Sequence, residues 1–176
     1  MQRLLDIQTE RLILRVLLPH EIEWLLAGDA HRLESANGFR YPQDDPNRGV
    51  DLRWHLRALR ADPTQLPSRI RLIVERSSNT VIGSINLKGA PDSEGDVEVG
   101  WGLNEGYRGQ GYATEAAEAV IRWVFEQPGV RSISATVPDD NHASQRVARR
   151  LGLTPTTTTR RNRPLWKLES AAITMN

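Results

Sequence analysis

The sequence predicts a mixed α/β domain. Three observations carry that reading. Stretches rich in branched apolar residues alternate with helix-favouring stretches, turn formers separate most of them, and no convincing linker or fixed-period repeat divides the 176 residues. That length suits one domain with a sizeable core, taken as 1–176 with the core at about 9–169.

The elements follow in order. Residues 9–18, TERLILRVLL, read as a strand. Pro19 can open a helix whose first turn holds Glu21 and Glu23, favourable to the helix dipole. Residues 35–49 are dense in turn formers and read as loop. A second helix spans 50–61 and is closed by Asp62-Pro63. RIRLIVER and TVIGSINLK, divided by SSN, read as a hairpin, and the turn GAPDSEGD leads to a third strand, VEVGWGL. A glycine-rich loop follows, then a helix stopped by Pro128-Gly129. VRSISATV alternates as a strand should, NHASQRVARRLG is a short helix ended by Gly152, and LTPTTTTR and PLWKLE are final strands.

Composition limits the function. A net charge of +1 gives no global field to recruit nucleic acid or an anionic membrane, so any anion must be held by a local site. The absence of cysteine excludes disulfides, thiolate metal sites and a cysteine nucleophile, and it fits a reducing cytoplasm, the expected location. No apolar run approaches the ~20 residues of a membrane helix. The opening MQRLLDIQTERL carries Asp6 and Glu10 and does not read as a signal peptide. The four histidines lack metal-ligand spacing, so no metal is expected.

The glycine-rich loop is the main functional signal. Residues 106–117 read GYRGQGYATEAA. A Walker loop would need lysine where Tyr112 stands, and a dinucleotide fingerprint would need glycine where Thr114 stands. A better reading is R-x-x-G-x-A over Arg108, Gly109, Gln110, Gly111, Tyr112 and Ala113, between strand and helix, with Thr114 and Glu115 starting the helix. Main-chain N–H groups converging at a helix start bind a pyrophosphate without lysine. A bare strand-to-helix turn would need only one glycine. Ala116, Ala117, Val120, Ile121, Val124 and Phe125 would form the buried face of that helix.

This segment resembles the coenzyme-A loop, Q/R-x-x-G-x-G/A, of the GNAT superfamily of N-acetyltransferases. TERLILR and NHASQRVARRLGL are similar to the branch that includes ribosomal-protein N-terminal (alanine) acetyltransferases. The resemblance implies a mostly antiparallel mixed sheet with splayed central strands and flanking helices. It implies acetyl-CoA as acyl donor, held between Val97–Leu103 and Ser132–Val137, with a bulge at Gly100-Trp101-Gly102 and a thioester-directed N–H near Trp101, Gly102 or Leu103. Trp101 also suits the core. Asn141 resembles the residue that bonds the pantetheine amide. Glu98 resembles a base that works through water; alternatively it is a salt-bridged strand residue. Many members carry a tyrosine acid seven residues past that asparagine, where this chain has Ala148, and Ser144 stands where the ribosomal-protein branch carries serine. Asn141 and Ser144 would equally serve as helix caps.

The base requirement depends on the acceptor. At pH 7 an α-amine of pKa ~7.8 needs only about 1 kcal/mol to deprotonate, and a lysine at ~10.4 about 4–5 kcal/mol. The expected reaction is direct ternary-complex transfer to a protein N-terminal or small primary amine, without nucleic acid or membrane as partner and with a homodimer left open. Rival readings are a non-catalytic acyl-CoA sensor or docking module, and a P-loop-like nucleotide binder. Arg146, Arg149, Arg150, Arg160, Arg161 and Arg163 could meet the 3′-phosphate of coenzyme A or an acidic substrate, or form a solvated face. Glu34, Asp44 and Asp45 could attract a cationic amine past Phe39 and Tyr41. His142 reads as a loop histidine, and Trp24, Trp54, Trp123 and Trp166 as core.

Overall fold

The computed structural model describes residues 5–47 and 49–170. Its strands are β1 (Ile7–Gln8), β2 (Leu12–Val16), β3 (Ile70–Glu75), β4 (Thr80–Leu87), β5 (Asp96–Leu103), β6 (Ser132–Thr136), β7 (Thr154–Arg160) and β8 (Arg163–Glu169). Its helices are α1 (Pro19–Leu26), α2 (Ala30–Asn37), α3 (Leu52–Ala61), α4 (Tyr112–Phe125) and α5 (His142–Arg150). The expected domain reaches beyond the described residues at both ends.

Strand periodicity divides the side chains between two cores. In β3, Ile70, Leu72 and Val74 join Leu56 and Leu59 of α3 and Ile22 of α1. Ile73, from the opposite face, joins Leu12, Leu14, Val97 and Val99 against Ala116, Ala117, Val120, Ile121 and Val124 of α4. The predicted buried face of α4 is thus the observed one, save that Phe125 is only half-buried.

Eight strands lie in the order β1-β2-β3-β4-β5-β6-β8-β7. Every pairing is antiparallel except β5 with β6. One parallel pair is incompatible with the repeated βαβ units of a dinucleotide fold. The parallel pairing is short, matching Asp96 to Ser132, Val97 to Ile133 and Glu98 to Ser134. Farther on, β5 stays with β4 as far as Leu103 opposite Gly83, and β6 stays with β8 as far as Thr136 opposite Leu165. The inner edges of β5 and β6 therefore part and leave a slot. The bulge expected at Trp101 is absent, because the β4–β5 register runs unbroken from Val99 to Leu103. Splay of the two partners opens the slot instead.

A buried clamp holds the paired end. The Asp96 carboxylate accepts hydrogen bonds from Ser132 Oγ at 2.8 Å and Ser134 Oγ at 2.5 Å. A second clamp fixes the start of α4: Glu115 accepts from Thr9 Oγ1 (2.5 Å), the Arg11 N–H (2.9 Å) and Arg11 Nε (2.6 Å).

Three elements depart from the sequence reading. The β1 strand is only two residues long, too short for a periodic signal. Helix α2 buries only Leu33, and ends instead define it: Asp29 accepts from the Arg32 N–H, and Gly38 closes it at φ 74°. A 3-10 turn spans Pro63–Ser68 after α3. The first long strand also starts later than expected, at Leu12, because Thr9 and Arg11 turn back toward Glu115.

Removing the Asp96 carboxylate leaves two buried serine hydroxyls without their acceptor. Asp96→Ala is expected to destabilise the protein by about 2–3 kcal/mol in urea unfolding, and Ser132→Ala with Ser134→Ala in that background recovers part of the loss. A change below ~0.5 kcal/mol would show that the clamp contributes little.

Candidate active site

Two clefts open at the splay. The first, about 660 Å³, lies at the start of α4 and is lined by Trp101, Gly102, Leu103, Arg108, Gly109, Gly111, Ala113, Thr114, Asn141 and Ser144. Gly109 and Gly111 adopt left-handed backbone, at φ 77° and 84°. A side chain there would be strained, and one at Gly109 would project into open space. Gly111 caps α4, whose first internal bond runs from the Glu115 N–H to the Gly111 carbonyl (3.0 Å). The N–H groups just ahead have no acceptor within the helix and point out of its N-terminus. Three arginines (108, 146, 150) and three carboxylates (Asp44, Asp45, Glu105) line this cleft, so an anion would rely on backbone amides rather than on net side-chain charge.

Two residues expected at this cleft lie off it. Tyr112 is buried in the core, its hydroxyl on Glu75 Oε1 (2.5 Å) and its ring under the Arg11 guanidinium at 4.3 Å. Gln110 turns back, donating to the Gly106 carbonyl (3.0 Å). Arg108 folds its Nε onto the Leu103 carbonyl (3.1 Å), which ties the loop to the end of β5.

The second cleft, about 470 Å³, lies on the α3 side. Trp101, Gly102, Asn141 and Ser144 face both clefts, so the two meet between β5 and β6. Asn141 caps α5, accepting the Ser144 N–H at 3.0 Å, and lines the passage as well. The Ser144 hydroxyl has no hydrogen-bond partner among the described residues. Ala148 is wholly buried in the core and opens on neither cleft.

Glu98 is engaged elsewhere. Its Oε1 accepts from Lys88 Nζ and from Thr136 Oγ1 (3.1 Å), and its Oε2 from Arg160 (2.9 Å). Arg160 also lies 3.6 Å from Asp96. Burial alone would raise the Glu98 pKa, but the bonds from Lys88 and Arg160 outweigh it and hold the carboxyl below its ordinary value. A carboxylate held ionised with both oxygens occupied is not poised to take a proton. The salt-bridged reading of Glu98 is the one its geometry matches.

The family defined as an acetyltransferase (GNAT) domain matches residues 11–154. The chain belongs to the GNAT acetyltransferase family. Among its relatives is YjdG of Bacillus subtilis strain 168, an uncharacterised N-acetyltransferase, 33% identical over 81 residues, which are 46% of this chain and 48% of YjdG. YnaD of the same organism, also an uncharacterised N-acetyltransferase, is 37% identical over 60 residues, 34% of this chain and 35% of YnaD. The aligned region thus spans about half of one relative and a third of the other. The GNAT fold itself extends over nearly the whole chain. An acetyltransferase from Agrobacterium tumefaciens C58 superposes with a TM-score of 0.64 at 24% identity, covering 97% of each chain. A RimL ribosomal L7/L12 α-N-protein acetyltransferase in complex with coenzyme A superposes at 0.63, with 16% identity over 93% of this chain and 97% of that one. The ribosomal-protein-S5-alanine acetyltransferase of Vibrio fischeri gives 0.65 at 15% identity, over 93% and 96%.

Within this GNAT domain, several expected acceptor residues are occupied otherwise. Phe39 is buried beneath the Arg15 guanidinium. Glu34 accepts the Tyr41 N–H (2.7 Å), and Asp45 holds the Tyr41 hydroxyl (2.9 Å). Asp44 and Asp45 line the glycine-loop cleft, not the α3-side one. Conversely, Trp54, His55 and Lys88 line the α3-side cleft and had no assigned part in it. The periodicity of α3 carries a signal for Trp54: Leu52, Leu56 and Leu59 define the buried face, and Trp54 falls off it, 37% exposed.

His55 is 2% exposed, and its Nδ1 has no partner among the described residues. Burial first, then the charge of Arg69, lowers its pKa to about 4. Between that value and ~6.5 the unfolded chain binds a proton that the folded chain refuses, so stability falls as pH drops. Going from pH 7.5 to pH 5 is expected to remove about 2 kcal/mol through this group. Urea unfolding of wild type and His55→Gln at both pH values checks it; equal slopes in the two proteins would refute the assignment.

Proposed function

We propose that the protein transfers an acetyl group from acetyl-CoA to a primary amine, either a protein N-terminal α-amine or a small amine, by direct attack in a ternary complex. The observation that carries this reading is the meeting of two clefts at the β5–β6 splay, with Trp101, Gly102, Asn141 and Ser144 facing both. One cleft suits the donor and the other the acceptor, and a transfer needs both to reach one point. A single domain with its core at about 9–169 contains all of these residues.

The donor-side residues fit coenzyme A. Gly109, Gly111, Ala113 and Thr114 offer backbone amides to a diphosphate, and Gly109 leaves open space for it. The unpaired edge of β5 from Val99 to Leu103 offers strand-like hydrogen bonding to the pantetheine amides, with Asn141 beside it. When bound, acetyl-CoA supplies an activated thioester. A main-chain N–H near Trp101–Leu103 polarises its carbonyl oxygen. The Ser144 hydroxyl, free of other partners, donates a hydrogen bond to the departing sulfur. With no cysteine to carry an acyl group, the amine attacks directly.

Glu98 belongs to the anchoring network in this reading, and solvent takes the proton of the amine. That assignment favours an α-amine, at about 1 kcal/mol for deprotonation, over a lysine at about 4–5 kcal/mol.

Thiol release from acetyl-CoA with a panel of amines and N-terminal peptides tests the reaction, and turnover with at least one α-amine is expected. Cofactor binding without any turnover would instead support an acyl-CoA sensor, a reading favoured by Ala148 and the engaged Glu98. Ser144→Ala is expected to lower kcat by about tenfold or more while leaving the acetyl-CoA Kd nearly unchanged. An unchanged kcat removes Ser144 from the mechanism.

A further inference from the structure

The α3-side cleft has an uneven charge. Lys88, Arg161 and Arg163 line it against a single carboxylate, Asp51. Asp51 is committed to capping α3, accepting the Trp54 N–H at 2.9 Å. Lys88 is matched by Glu98, and Arg160 by Asp96 and Glu98, so that network is balanced. Arg161 and Arg163 remain. Neither forms an ion pair among the described residues, and both are exposed beside the cleft.

Their placement is built by the fold. Arg161 and Asn162 form the tip of the β7–β8 hairpin, both in left-handed backbone, at φ 54° and 59°. Arginine is a poor choice there on conformational grounds. The tip end of the hairpin is pinned by Arg160, the residue before the turn, on Glu98 at 2.9 Å. The same cleft is lined by the Trp54 indole, 37% exposed, and by Trp101, which also faces the other cleft. Behind Trp54, Arg69 stacks on the ring at 4.7 Å, 5% exposed, with Nε and Nη1 unpartnered among the described residues. A volume of about 470 Å³ suits a molecule the size of one or two amino acids.

We propose that the acceptor is a primary amine that also carries an anionic group, a carboxylate or a phosphate, received by Arg161 and Arg163 at the mouth of the α3-side cleft, with its apolar part against Trp54. The assignment rests on the transferase reading for the word acceptor; the anion subsite is a binding property that can be measured apart from it. The glycine-loop cleft does not contain either arginine, so they are not spare ligands for the donor's diphosphate.

The test is calorimetric titration of the full chain in the presence of coenzyme A with two matched pairs, phenylalanine against phenylalaninamide and O-phosphoethanolamine against ethanolamine. The first pair reads a carboxylate and the second a phosphate. The anionic member of at least one pair is expected to bind on the order of tenfold tighter, and Arg161→Ala with Arg163→Ala is expected to bring that pair to parity while acetyl-CoA affinity is retained. Parity of both pairs in the wild type, or a preference that survives the double substitution, overturns the proposal. Acetyl transfer to the same amines is measured alongside. Transfer without an anion preference sinks the subsite and keeps the transferase, whereas an anion preference without transfer does the reverse.

Discussion

The pairing of β5 with β6 over only three residues is the constraint on which the rest depends. Two strands that ran in register for their full length would hydrogen-bond to each other and close the sheet. Here each is bound more extensively to its outer neighbour, β5 to β4 and β6 to β8, and the pairing between the two stops at Glu98 and Ser134. Asp96 fixes where they separate by holding both Ser132 and Ser134. The slot is thus the remainder of a sheet that is held together at one end, and its edges keep the unmet backbone groups that an extended ligand can satisfy.

The ionic residues next to that clamp have a structural part that follows from their position. Glu98 is the last residue of the parallel pairing, so its carboxylate sits where β4, β6 and the β7–β8 hairpin come together. Lys88, just past the end of β4, Thr136 of β6 and Arg160 of β7 reach it. Taking one partner away would leave a largely buried charge uncompensated, which is more damaging than the network's net contribution to stability. Such a network fixes geometry. It sets the hairpin beside the slot and with it the side chains at the hairpin tip.

Much of this was legible in the sequence, for physical reasons that differ by element. The helix over 112–125 announces itself by periodicity because it buries one face, and the strand at 70–75 by a run of branched apolar residues because both of its faces are buried. The glycine loop is readable since left-handed backbone at 109 and 111 requires residues that few other sites tolerate. Helix α2 was not, because one buried leucine leaves no periodic pattern and the signal resides in Asp29 and Gly38 at its ends. Glu98 is a harder case. Sequence places it on the correct strand, but only the tertiary contacts of Lys88 and Arg160, 10 and 62 residues away, determine that its oxygens are occupied. The arginines near the C-terminus read as one basic group, yet the fold divides them. Arg146 and Arg150 go to the glycine-loop cleft, Arg161 and Arg163 to the other, and Arg149 packs over Trp166 at 5.2 Å.

That division bears on how an amine could lose its proton without a poised base. A cation ~7 Å from an ammonium disfavours it by about 0.6–2.4 kcal/mol for an effective dielectric between 80 and 20. This is comparable with the ~1 kcal/mol needed for an α-amine and well short of the 4–5 kcal/mol needed for lysine. An acceptor with its own carboxylate starts at a disadvantage, since a neighbouring negative charge stabilises the ammonium. Pairing that carboxylate with arginine cancels the effect. The same two side chains that recognise the acid would therefore ease deprotonation of the amine beside it, and binding and proton loss would be coupled through one electrostatic interaction at the cleft mouth.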